Sequence, residues 1–156
     1  MPTVLFLGGT GFIGGKWCIS ESVYLDPEIA FSGAVLAHLH KTFPTFIFKA
    51  FVRNERAMNV INQYLNTNPD LPKIETIIGS LDDIERMADL AYEADIVINV
   101  ADSDSVPLRD GLLKGLKRRF DNGRGIGSFI HTSGAAIYWD GSQDGKFNQE
   151  GKVWTV

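Results

Sequence analysis

Short apolar runs alternate along this chain with stretches of helical period. Val4-Leu5-Phe6-Leu7 is a continuous apolar run within a predicted strand over Thr3–Leu7, the pattern of a central parallel strand covered on both faces. It runs straight into Gly8-Gly9-Thr10-Gly11-Phe12-Ile13-Gly14. A second strand, Thr45–Val52, is rich in Phe and Ile and ends at Arg53-Asn54. The helix predicted next, Glu55–Leu65, carries Ala57, Val60, Ile61, Tyr64 and Leu65 on one stripe. Asn66–Pro72 reads as a loop, and Ile74–Ile78 as a third strand closed by Gly79. Ser80-Leu81-Asp82-Asp83 has the form of a capping box, opening a helix that turns Ile84, Met87, Ala88 and Ala91 inward. Asp95–Ala101 is a fourth strand of Ile and Val. Asp104, Ser105 and Pro107 are start signals for the longest helix, in which Leu108, Leu112, Leu116 and Phe120 recur every four residues as a core stripe and Asn122-Gly123 is the stop. Ile126–Thr132 is the fifth strand, and residues 139–156 read as an irregular tail. Strands and helices in this alternation predict an α/β fold, a doubly wound parallel sheet of about five strands in the order 3-2-1-4-5, within a single domain over 1–156.

One stretch departs from the pattern. From Lys16 to Gly33 the chain passes Trp17, Cys18, Tyr24, Pro27 and Phe31 without a clean helical period, and a helix-like run resumes only at Ala34–Leu39. In a βαβ unit the glycine turn and the end of the second strand stand roughly 20 residues apart, and Gly8 and Arg53 are about twice as far. Residues 16–33 therefore read as an insertion or a retained intron. Gly15-Lys16-Trp17 can be encoded with a GTAAGT donor and Phe31-Ser32 with a TTCAG acceptor, and joining Gly15 to Gly33 or Ala34 restores an uninterrupted helix. A surface insertion is the competing explanation, because loop-closure entropy grows slowly with length.

The glycine run carries the first chemical signal. Gly8 can make a tight turn, Gly11 can let backbone approach a pyrophosphate, and Gly14 can let the helix pack closely on the strand. The helix N-terminus then presents free N–H groups and positive dipole to the phosphates. In a chain with 16 glycines, spacing alone is weak, so the preceding apolar run and the following strand–helix alternation carry the argument. At the tip of the second strand an acid would accept from the ribose of NAD, whereas Arg53 pairs with a phosphate and so favours NADP, with NAD as the alternative.

Composition narrows the partners. At 156 residues and 44% hydrophobic the chain can bury one sizeable core. A net charge of −4 and a pI near 5.3 argue against nucleic acid and anionic membrane as partners. Cys18 is the sole cysteine, which excludes a disulfide framework and a thiolate metal cluster and fits a reducing, cytoplasmic setting. The apolar run ending at Gly8 is too short for a signal peptide or a membrane span. His38 and His40 have no metal-ligating company; Asn99 reads as a strand-end residue satisfying backbone, and His131 as a packed, hydrogen-bonded imidazole.

Taken in order, these residues resemble the short-chain dehydrogenase/reductase superfamily, in the extended and atypical branches that include nucleotide-sugar epimerases and NmrA-like proteins. Leu7 to Gly14 looks like the extended-branch glycine motif. Arg53 stands where atypical members often place a basic residue against the 2′-phosphate of NADP. Gly79-Ser80-Leu81-Asp82-Asp83 is similar to the segment flanking the adenine, with Ser80 in place of the more usual acid, and Ile98-Asn99-Val100-Ala101 to the fourth-strand motif beside the nicotinamide. His131 to Tyr138 looks like the fifth-strand segment with the catalytic serine or threonine, although the register puts Gly134 at that position and Ser133 one residue away. The resemblance implies an NAD(P)-binding Rossmann domain whose cofactor residues are Gly8, Thr10, Gly11, Phe12, Ile13, Gly14, Arg53, Leu81, Val100 and Ala101, with Ser133 the candidate catalytic residue and no metal. In that family the helix over 107–120 often forms a homodimer interface.

The family's proton-transfer pair, a tyrosine followed four residues later by lysine, is missing. The residues four after Tyr24, Tyr64, Tyr92 and Tyr138 are Glu28, Asn68, Ile96 and Ser142. The chain is therefore expected to be the truncated cofactor half of an oxidoreductase acting on a carbonyl/alcohol pair, inactive alone, with a small-molecule substrate engaged only by a full-length form. The competing expectations are a non-enzymatic NAD(P) sensor of NmrA-like type and a fragment of a nucleotide-sugar epimerase or dehydratase.

Overall fold

The computed structural model describes residues 1–10 and 33–132. In chain order these form β1 (Thr3–Leu7), α1 (Gly33–Thr42), β2 (Ile47–Val52), α2 (Glu55–Asn66), β3 (Glu75–Ile78), α3 (Ile84–Glu93), β4 (Ile96–Asn99), α4 (Val106–Asp121) and β5 (Ser128–His131). The strands pair in the order β3-β2-β1-β4-β5, and every pairing is parallel. The expected α/β sheet and its strand order are thus what the chain forms. The stretch over 16–33 that reads as an insertion or a retained intron and the tail over 139–156 lie outside the described residues, except that Gly33 is the first residue of α1.

Successive residues of a strand point to opposite faces, and β1 divides its side chains accordingly. Val4 and Phe6 join Leu36 and Ala37 of α1 and Ile61 and Tyr64 of α2 on one face. Leu5 and Leu7 join Met87 and Ala91 of α3 and Leu108, Leu112 and Leu116 of α4 on the other. Leu5, Phe6 and Leu7 are fully buried, each worth about 1.5–3 kcal/mol of burial. A central strand covered on both faces needs apolar residues at every position, hence the unbroken run.

The layer formed by α3 and α4 depends on small residues. Gly115 faces the α3 backbone so closely that a Cβ there would lie 2.1 Å from the Ala88 carbonyl oxygen, and one on Gly111 would lie 2.7 Å from Ile84 Cγ2. Glycines four apart on α4, Gly111 against Ile84 and Gly115 against Ala88 and Ala91, let the two backbones approach.

Two expectations are corrected. Phe120 is not the fourth member of a core stripe: it is 58% exposed, and Arg119 is buried beside it. A four-residue step overshoots the 3.6-residue turn by about 40°, so three steps carry the stripe off the face begun by Leu108. Nor does Ser80 cap α3. The cap is Asp83, whose Oδ1 accepts from Arg86 N at 3.2 Å, while the Ser80 hydroxyl accepts from Asp82 N at 3.1 Å in the turn before the helix. The capping of α2 by Asn54 and of α4 by Ser105, with Pro107 in the first turn, follows the usual chemistry.

Two buried polar residues, Arg119 and His40, have partners that were not evident from sequence. Asp95 accepts from Thr3 N at 2.8 Å and pairs with the guanidinium of Arg119, tying β1 and α4 to the start of β4. His40 is fully buried with Nδ1 3.2 Å from the Tyr64 hydroxyl and its ring edge-on to Phe48. Burial pushes its pKa below the ordinary imidazole value, opposed by the Pro72 backbone. Among the described residues no helix is long and apolar enough to cross a membrane.

Candidate functional site

The sheet order reverses direction between β1 and β4, and in open α/β sheets ligands bind outside the carboxyl ends of the strands at such a point. Gly8 is the first residue beyond β1. It takes φ +86°, a region L side chains rarely adopt, and a Cβ on it would lie 2.6 Å from both N and Cα of Ala101. The two chain segments leaving the switch point therefore touch backbone to backbone, with Val100 N donating to Leu7 O at 3.1 Å. Both conditions demand glycine. Gly9, buried next to it, packs against Leu36 of α1 and Phe6, so α1 sits directly on the glycine turn.

The end of β2 lies beside the segment leaving β3. Gly79 N donates to Val52 O at 3.0 Å, continuing the ladder by one bond and bringing Gly79-Ser80 next to Arg53. The far side is closed by the loop after β4. The result is a cleft of about 370 Å³ lined by Arg53, Gly79, Ser80, Leu81, Asp82 and Asp102. That volume lies within the range of ligand sites.

Within the cleft, charges differ in their engagement. The Asp102 carboxylate is committed to its own loop, accepting from Asp104 N at 2.9 Å and Ser105 N at 3.0 Å. Asp82 is tied to Ser80, whose hydroxyl donates to Oδ2 at 3.1 Å. Arg53 is exposed and makes no hydrogen bond or ion pair with a described residue. An arginine at a strand tip without a carboxylate partner is free to pair with an incoming anion, for which its planar fork is suited.

The expected site residues sort as follows. Arg53 and Leu81 line the cleft together; Gly8, Val100 and Ala101 meet at the switch point, and Thr10 follows the glycine turn. Val100 directs its side chain into the core, so what it offers the site is backbone. Gly11, Phe12, Ile13, Gly14 and Ser133 lie outside the described residues. Pattern reading did not single out Asp102, which looked like one of several acids ahead of α4. Its Asp-x-x-Ser-x-Pro setting was a turn signal, but only the closure of the β4–α4 loop against β2 makes it a wall. Among the described residues there is no group of three or more His, Cys, Asp or Glu able to hold a metal ion.

No protein-family model matches the chain. Among curated proteins it is similar to the oxidase UcsJ of an Acremonium species, with 31% identity over 136 residues. The match takes in 85% of this chain and 31% of that protein, so the chain spans about a third of the length of its curated relative.

Proposed function

We propose that this chain is the dinucleotide-binding part of an oxidoreductase, with NADP as the preferred cofactor. The observation that carries the reading is the pairing, at the carboxyl edge of a 3-2-1-4-5 parallel sheet, of a turn that demands glycine at position 8 with a cleft holding an arginine that has no partner among the described residues. The likeness to a protein called an oxidase supports the reaction class. When bound, the dinucleotide supplies hydride donor or acceptor chemistry at its nicotinamide. The chain's own residues bind and orient it: Gly8 and the Val100–Ala101 backbone shape the switch point, Leu81 offers an apolar wall and Arg53 meets the 2′-phosphate. The Ser80 hydroxyl lines the same cleft with its proton held by Asp82 Oδ2.

Titration of the purified chain with NADPH and NADH, followed by Arg53→Ala, tests this. Arginine–phosphate pairs of this partly exposed kind are worth about 1.5–3 kcal/mol, so the substitution should weaken NADPH about tenfold or more and leave NADH nearly unchanged. Equal affinities that ignore the substitution would remove the phosphate role, and no binding of either would remove the reading.

A further inference from the structure

The wall of the cleft formed by the β4–α4 loop is held from below by one buried amide. Asn99, the last residue of β4, is fully buried. Its Oδ1 accepts from Ala101 N at 3.1 Å, which fixes which end of the amide is oxygen. Its Nδ2 therefore faces the other two partners, the Asp102 carbonyl oxygen at 3.3 Å and His131 Nδ1 at 3.1 Å. An amide nitrogen has two hydrogens and no acceptor capacity, so both are used and Nδ1 of His131 must present a lone pair. An imidazolium or an Nδ1–H tautomer would set donor against donor. Turning the amide over to relieve that would break the bonds to Ala101 and Asp102 together.

His131 comes from a different strand. It ends β5 in direct register with Asn99, and its ring stacks on Phe129 at 5.6 Å and 15°. We infer that His131, as the neutral Nε2–H tautomer, is a positioning residue for the cleft: its Nδ1 holds the Asn99 amide in the one orientation that fixes Ala101 against Gly8 and Asp102 in the cleft wall. This assignment rests on the dinucleotide reading of the cleft. His131 holds the loop that the cofactor would meet.

Two measurements on the full chain test it separately. Long-range proton–nitrogen correlation NMR without nucleotide reads the tautomer of His131 directly, assigned with His131→Gln; an Nε2–H signal is expected, and an Nδ1–H signal overturns the inference whether or not nucleotide binds. NADPH titration then compares wild type, His131→Phe, which keeps a flat ring for Phe129 but has no acceptor, and His131→Gln, which returns an acceptor oxygen. The loss of one net hydrogen bond should make the Phe variant about fivefold weaker, with Gln within about twofold of wild type. A Phe variant binding as wild type does, or a Gln variant as weak as Phe, overturns the positioning role. Absence of NADPH binding by wild type defeats the reading of the cleft and this role with it, while the tautomer still reports whether the network exists.

Discussion

Replacing Gly115 by alanine sets two effects of opposite sign against each other. In an exposed helix the change gains about 1 kcal/mol of helix propensity. Here the new Cβ would stand 2.1 Å from the Ala88 carbonyl oxygen and 2.9 Å from Ala91 Cβ, where ordinary contact begins at 3.4 Å. That oxygen is backbone within α3 and cannot step aside alone, so α3 and α4 must separate by about 1 Å. A radial gap of 0.5–1 Å forfeits roughly a quarter to a half of each dispersion well along the seam. Overpacking against backbone belongs at the upper end of its range, about 3 kcal/mol, leaving a net loss of about 2 kcal/mol. For a domain of this size the melting temperature should fall by about 4–8 °C. Gly111→Ala is the internal comparison, because its nearest neighbour is the Cγ2 methyl of Ile84 at 2.7 Å and its nearest backbone atom, Ile84 O, stands at 3.2 Å rather than 2.1 Å; its loss should be the smaller of the two. Thermal and urea unfolding followed by circular dichroism measure both. A Gly115→Ala chain as stable as wild type or more so, or one less affected than Gly111→Ala, would refute the close seating of α4 on α3.

Two further outcomes follow from the buried polar groups. Asp95→Ala leaves Arg119, 7% exposed, without its carboxylate and Thr3 N without its acceptor, and should cost about 2–3 kcal/mol in urea unfolding, less than a fully buried pair because Asp95 is half-buried. Adding Arg119→Met should recover part of that loss; a double variant no better than the single one would show that the stranded charge is not the cause. His40 has a folded pKa below its ordinary 6.5, so the unfolded chain binds the proton first. Its contribution is fully present above pH 6.5 and is lost as pH falls towards the folded value, and His40→Leu should flatten that limb of the stability–pH curve. An unchanged limb would assign the loss to other groups.

Much of the architecture was legible in the sequence because it rests on local periodicity. The unbroken apolar run of β1 required cover on both faces, the stripes of α2 and α3 showed which sides pack, and Ser105 and Pro107 marked the start of α4. Alternating strands and helices with short connections leave few parallel topologies, and the observed order is the one expected. Gly8 was also legible, as a turn glycine, although its second requirement was not: the segment it must admit, Val100–Ala101, comes from a distant strand. Tertiary structure alone decided what depends on two elements meeting. The drift of a four-residue stripe put Phe120 in solvent and Arg119 inside, where Asp95 receives it. The parallel register set Asn99 beside His131, and the closing of two loops put Arg53 in a cleft with Asp82 and Asp102. Sequence reports the period of each segment, which follows from local geometry, but a partner across the sheet is chosen by register and packing that no single segment contains.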